Sequence, residues 1–98
     1  MSTKIRRGSQ IVFRDLGFGP EEAENLRIRA ELMVALSRLI ENRGQTQAAA
    51  AKLLGVSQPR VSDLVRGKID RFSIDTLIEM LGAAGVEVRV TTKRRRVA

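Results

Sequence analysis

Residues 57–66 read SQPRVSDLVR. On a helix this stretch turns Ser57, Gln58, Arg60, Ser62, Asp63 and Arg66 outward and Val61, Leu64 and Val65 inward. The outward set carries an amide, two hydroxyls, two guanidiniums and one carboxylate. The chemistry it suits is hydrogen-bond recognition. A Gln amide, such as that of Gln58, matches the donor and acceptor on adenine N6 and N7. Arg60 fits guanine or a phosphate, with phosphate slightly preferred. Asp63 either accepts from cytosine N4 or pairs with Arg66 or Arg60. Arg66, Lys68 and Arg71 read as phosphate contacts at the edge of the same surface. Nucleophilic and metal chemistry have no such support. The chain has no His and no Cys, which excludes disulfides, thiolate or imidazole metal sites, and dyads or triads built on those side chains. It also shows no Gly-rich phosphate loop and no Ser beside a base, so an enzyme is the least supported class and no cofactor or metal is expected.

The distribution of charge sharpens this reading. The net charge is +7. Residues 1–10 carry Lys4, Arg6 and Arg7, and residues 93–98 carry Lys93, Arg94, Arg95 and Arg96, so the tails hold the whole excess. Residues 11–92 are balanced but uneven. Residues 43–71 set Arg43, Lys52, Arg60, Arg66, Lys68 and Arg71 against Asp63 and Asp70 alone, while the flanks on either side are acidic. A basic tail is commonly a solvated arm. A basic segment inside an ordered body, between acidic flanks, looks like a face aimed at a polyanion.

The elements that must hold this face follow from local signals. Ninety-eight residues allow one domain: a basic arm at 1–10, a body at 11–92 and a basic tail at 93–98. Residues 11–18 read as a short extended or irregular segment pinned by Phe13, Leu16 and Phe18. Pro20 opens a helix to about Asn42, with Glu21, Glu22 and Glu24 in its first turn, where the helix dipole favours carboxylates. Its buried face is Leu32, Met33, Leu36, Leu39 and Ile40, and Gly44 closes it. Thr46 caps a second helix with Ala50, Leu53 and Leu54 inward. After Gly55-Val56, Ser57 caps a third, Gln58 to Arg66, and Gly67 ends it. Phe72 and Leu77 bracket the cap Ser73 of a fourth helix running to about Ala84, with Ile74, Leu77, Ile78 and Leu81 on one face. Val86, Val88 and Val90 then alternate with Glu87, Arg89 and Thr91, which predicts a C-terminal strand. The expected fold is all-α, four compact helices and a short C-terminal β-strand. No apolar run approaches the roughly 20 residues of a membrane span, so no membrane partner is expected and a cytoplasmic, nucleoid-associated location is.

Two short helices joined by a Gly-containing turn suggest a helix-turn-helix. The spacing is a sharper test. From Gln47, four residues on comes the small Ala51 for close helix contact, and eight on comes Gly55 for a left-handed turn. Val56, Val61 and Leu64 then lock the second helix of the pair to the first. A plain helical hairpin without a ligand would leave the basic centre unexplained. Thr46 and Gln47 start the first helix of the pair, where free N–H groups attract a phosphate.

The segment TQAAAAKLLGVSQPRVSDLVRGK resembles the DNA-binding unit of the Cro/C1-type (XRE) regulators, which have the lambda-repressor-like fold. The longer pattern, FRDLGF before a Glu-rich helix and FSIDTLIEMLGAAGVEVRV after the pair, is similar to HigA-like antitoxins of type II toxin–antitoxin systems. The resemblance implies that Gln47 contacts a phosphate through its side-chain amide and that the position of Gln58 reads a base. It departs from the five-helix plan of the family, because a Val-rich stretch stands where a fifth helix belongs, so dimerisation through a last helix does not carry over. The implied function is an autorepressor binding double-stranded operator DNA as a homodimer, its subunits meeting through strand 86–92 or segment 11–18. The implied protein partner is a small, basic, RelE-like toxin, met by the acidic flanks around 15–24 or 75–87. The competing functions are a stand-alone phage-type repressor and a small basic RNA-binding protein, the latter weakened by the lack of exposed aromatics for stacking.

Overall fold

The computed structural model describes Phe13 and residues 15–94. The expected arm at 1–10, the neighbouring Ile11, Val12 and Arg14, and tail residues 95–98 lie outside the described residues. Among the described residues four bounded α-helices follow in order, α1 (Pro20–Asn42), α2 (Gln47–Leu54), α3 (Gln58–Val65) and α4 (Ile74–Ala83), with one 3₁₀ turn (Ile69–Arg71) between α3 and α4.

The helix starts are set by local chemistry. Thr46, Ser57 and Ser73 each stand in extended backbone, and each accepts at its side-chain oxygen from the amide three residues on. That bond satisfies one of the free donors at a helix start and contributes about 1 kcal/mol apiece. α1 has no side-chain cap; Pro20 at its first position and Glu21 and Glu22 in its first turn favour the start instead. The turn between α2 and α3 depends on Gly55, whose φ of 70° and ψ of 31° lie in the left-handed region. There the Val56 amide reaches back to the Ala51 carbonyl at 3.0 Å and ends α2.

α1 packs against α4 and α3, and α2 packs against α3 and α4. The shared core is Met33, Leu36 and Ile40 from α1, Ala50, Ala51 and Leu54 from α2, Val61 and Leu64 from α3, Leu77, Met80 and Leu81 from α4, and Phe72 and Ala84 beside α4. Leu32, Leu39, Leu53, Val56 and Ile69 pack partly buried around it. Both Met33 and Met80 are therefore core residues.

Some expectations change. Val65, inward by its spacing, is 43% exposed, and Ile78 lies 40% exposed, while Met80 takes the buried position on α4. Periodicity marks an apolar stripe; the angle at which the neighbouring helix meets it decides which edge is covered. Phe13 and Asp15 are helical rather than extended. Phe13 meets Phe18 edge-on at 6.4 Å, and the Phe18 amide donates to the Phe13 carbonyl. Leu16 is 69% exposed and pins nothing. The C-terminal β-strand is absent: the described residues contain no strand. Val86 and Val88 pack against the helical core, whereas Val90 is 78% exposed. The alternation reports a segment with one face against the helices, not a ladder, because no second strand runs beside it among the described residues.

Candidate nucleic-acid interface

The surface built by α2, its turn and α3 begins from two caps. The Thr46 hydroxyl oxygen accepts from the Ala49 amide at 3.1 Å, and the Ser57 hydroxyl oxygen from the Arg60 amide at 3.3 Å. Both side chains thus fix where a helix begins. Their consequence for recognition is to place Gln47 and Gln58 at the first positions of successive helices. Gln58 is exposed and Gln47 half-buried. Ala51 is buried on α2, which faces α3, as the spacing requires of a small side chain there.

Along α3 the predicted residues separate into three groups. Gln58 and Arg66 stand exposed, and among the described residues neither side chain has a hydrogen-bond or ion-pair partner. Ser62 is half-buried. Arg60, Asp63, Lys68 and Arg71 are drawn together at the loop that follows the helix. Asp63 pairs with Lys68 at 3.8 Å and with Arg71 at 3.3 Å. Neither Arg66 nor Arg60, the two partners considered from sequence, pairs with it. Arg60 turns back onto the protein. Its Nη1 donates to the Arg71 carbonyl at 2.9 Å, and its guanidinium carbon lies 4.6 Å from the centroid of the Phe72 ring. The attraction is that of a cation over the negative face of an aromatic ring.

Sequence reasoning missed Arg29, Asn25 and Phe72 as parts of this arrangement. Arg29, on α1, donates through Nη1 to the Ile69 and Phe72 carbonyls at 3.2 and 3.4 Å, while its Nε donates to Asn25 Oδ1 at 2.7 Å. The Asn25–Arg29 spacing of four was a visible helical pair; the distant carbonyls had no local signal. A shallow cavity of about 430 Å³ opens beside the loop, lined by Arg29, Arg60, Arg71 and the start of α4. The described residues hold no cluster of acids that suits a metal ion.

The acidic flank is ordered separately. Arg27 forks onto Glu24 at 2.8 Å and reaches Glu31 at 3.1 Å. The hydrogen bond that Arg27 donates to the Glu24 carboxylate is the main cause of a raised Arg27 pKa, opposed by burial and aided by the charges of Glu24 and Glu31. Asp15, Glu21 and Glu22 remain exposed beyond it.

A capped short helix, a left-handed glycine turn and a second capped helix carrying an exposed Gln at its head, with cations gathered at its tail, define a helix-turn-helix DNA-binding protein. The second helix of such a unit lies in the major groove with its N-terminal end toward the base edges. A family described as a helix-turn-helix domain matches residues 12–93. A solved structure assigned to the XRE family of transcriptional regulators is 34% identical, with a TM-score of 0.72 over 79% of this chain and 90% of that one. No curated protein matches. The chain belongs to the helix-turn-helix family of XRE-type, DNA-binding transcriptional regulators. Among the described residues, no helix is long and apolar enough to cross a membrane.

Proposed function

We propose that the protein is a sequence-specific autorepressor, non-enzymatic and free of cofactors, that reads an operator near its own coding sequence as a homodimer. The observation that carries this reading is the exposed Gln58 at the capped head of α3, with Arg66, Lys68 and Arg71 at the other end of the same helix and its following loop. Gln58 supplies base readout; Arg66, Lys68, Arg71 and the α2 start at Thr46 and Gln47 supply phosphate contacts that set the register. Operator binding is titrated against DNA from upstream of the reading frame at several salt concentrations. Each phosphate contact releases counterions, so the affinity is expected to fall steeply with salt. No binding at low salt, or binding indifferent to salt, sinks the reading.

The protein is further proposed to be the antitoxin of a toxin–antitoxin pair. On a chain of net charge +7, the exposed Leu16 and Phe18 sit beside the exposed acids Asp15, Glu21 and Glu22. An apolar patch rimmed by carboxylates fits a basic protein such as a RelE-like toxin better than it fits DNA. Co-expression with the adjacent reading frame is expected to give a complex that Leu16→Asp and Glu21→Lys dissociate while operator binding persists. A complex that survives both changes places the contact elsewhere on the chain, and no complex at all favours a stand-alone repressor.

A further inference from the structure

The segment 68–72 is a short connector whose backbone amides bond only within the segment or to the end of α3 and Gly67 just before it. Its 3₁₀ turn is three residues long, and such turns have poor hydrogen-bond geometry and seldom persist alone. Yet it carries Lys68 and Arg71, two of the cations on which the DNA-binding reading depends. Two guanidiniums from different helices converge on it. Arg29 of α1 grips the Ile69 and Phe72 carbonyls. Arg60 of α3 grips the Arg71 carbonyl between them and covers the Phe72 ring. Phe72 itself is 2% exposed and anchors the segment in the core.

We propose that Arg29 and Arg60 are positioning residues for DNA binding: together they clamp the 68–72 backbone to α1 and α3, so that Lys68 and Arg71 stand at a fixed offset from Gln58. This rests on the DNA-binding reading of the surface and assigns Arg60 a role other than base or phosphate contact. An Arg60 guanidinium turned out to a guanine would give up both the carbonyl and the ring. The grip needs the guanidinium itself. Its planar fork serves a carbonyl and a ring face together, whereas a lysine ammonium is a point charge on a flexible stem. Asp63 faces both cations from α3 and neutralises part of the charge that the clamp positions.

Arg29→Lys and Arg60→Lys keep the charge and remove the fork. In the free protein, amide exchange at Arg71 and Phe72 is expected to quicken about tenfold or more in each variant, while Ala50 in α2 stays protected and reports an intact fold. On DNA, Arg60→Lys is expected to weaken operator and scrambled duplexes alike, by about tenfold. Residues that act as a unit are non-additive. Arg71→Ala should therefore cost less than about twofold once Arg60→Lys is present, against its full loss in the parent, while Gln47→Ala keeps its full cost in both backgrounds. Unchanged exchange at Arg71 and Phe72 overturns the clamp. So does full additivity of Arg60→Lys with Arg71→Ala, or a loss confined to one base pair, which would make Arg60 a reader. A parent protein that fails to bind duplex DNA defeats the underlying reading and with it the positioning role, even where the exchange data show the clamp.

Discussion

Asp63 Oδ2 accepts a hydrogen bond from Arg71 Nη1 at 3.3 Å, joining the recognition helix α3 to the loop eight residues later. The carboxylate also faces Lys68 Nζ at 3.8 Å. A group engaged by two cations is not presented to cytosine. Its effect on DNA is to neutralise part of the charge that Lys68 and Arg71 would otherwise offer to phosphates. Asp63→Asn is therefore expected to strengthen binding to operator and scrambled duplexes alike, with base preference unchanged. The stability cost is at most about 1 kcal/mol, since partly exposed ion pairs contribute little. Fluorescence anisotropy on both duplexes, with a thermal melt, tests this. A loss of preference at one C·G pair would restore Asp63 as a base reader.

The two glutamines that head α2 and α3 are expected to fail differently. Gln58→Ala removes an exposed amide from the end of the helix that meets base edges, at a cost of about 1–3 kcal/mol confined to one position of the site. Gln47→Ala removes a phosphate contact and weakens all sequences alike. Binding to a set of single-base operator variants separates them. Equal loss on operator and scrambled DNA for Gln58→Ala takes it out of base recognition.

What the sequence made legible was what short-range chemistry decides. The caps Thr46, Ser57 and Ser73 lie beside the amides they bind, and Gly55 sits where a left-handed turn must be. The helix boundaries and the α2–α3 pair were readable for that reason. Val65 and Ile78 were misplaced because a helix face does not show how far its neighbour reaches. The valines at 86–90 were read as a strand because alternation encodes sidedness alone, and a ladder needs a partner the local pattern does not contain. The Arg29 grip was invisible for the same reason: its carbonyl partners lie 40 and 43 residues away.

Two glycines should respond to alanine with opposite sign. Gly55 has φ of +70° and open space where a Cβ would sit. The strain of a left-handed alanine is thus the whole cost, about 1–2 kcal/mol, or a fall in Tm of roughly 4–8 °C per kcal/mol in a chain of this size. Gly82 lies within α4, and a Cβ there also meets nothing. Gly82→Ala is expected to raise stability by about 0.5–1 kcal/mol by restricting the unfolded chain. Calorimetry of both variants is the check. A neutral Gly55→Ala would mean that the turn relaxes to negative φ without disturbing α3.

The last prediction concerns the proposed homodimer. Paired half-sites about one helical turn apart require two recognition helices held in register. Within one chain, residues 86–90 form no strand ladder. The segment still offers a surface. Val86 and Val88 face the core, and their docking leaves Val90 outside at 78% exposure, beyond the last helix. An apolar side chain held there by two anchored neighbours is a natural contact for a second subunit. Val90→Asp is then expected to shift the dimer toward monomer and to weaken operator binding, with the melting temperature of the monomer unchanged. Val88→Asp acts on a different level. It puts a carboxylate against the helical core, where a charge without a partner is costly, and should lower the melting temperature whether or not a dimer forms. Sedimentation velocity and thermal melts on both variants distinguish the two levels. A Val90→Asp protein that still sediments as a dimer and holds its operator as before places the subunit contact elsewhere on the molecule.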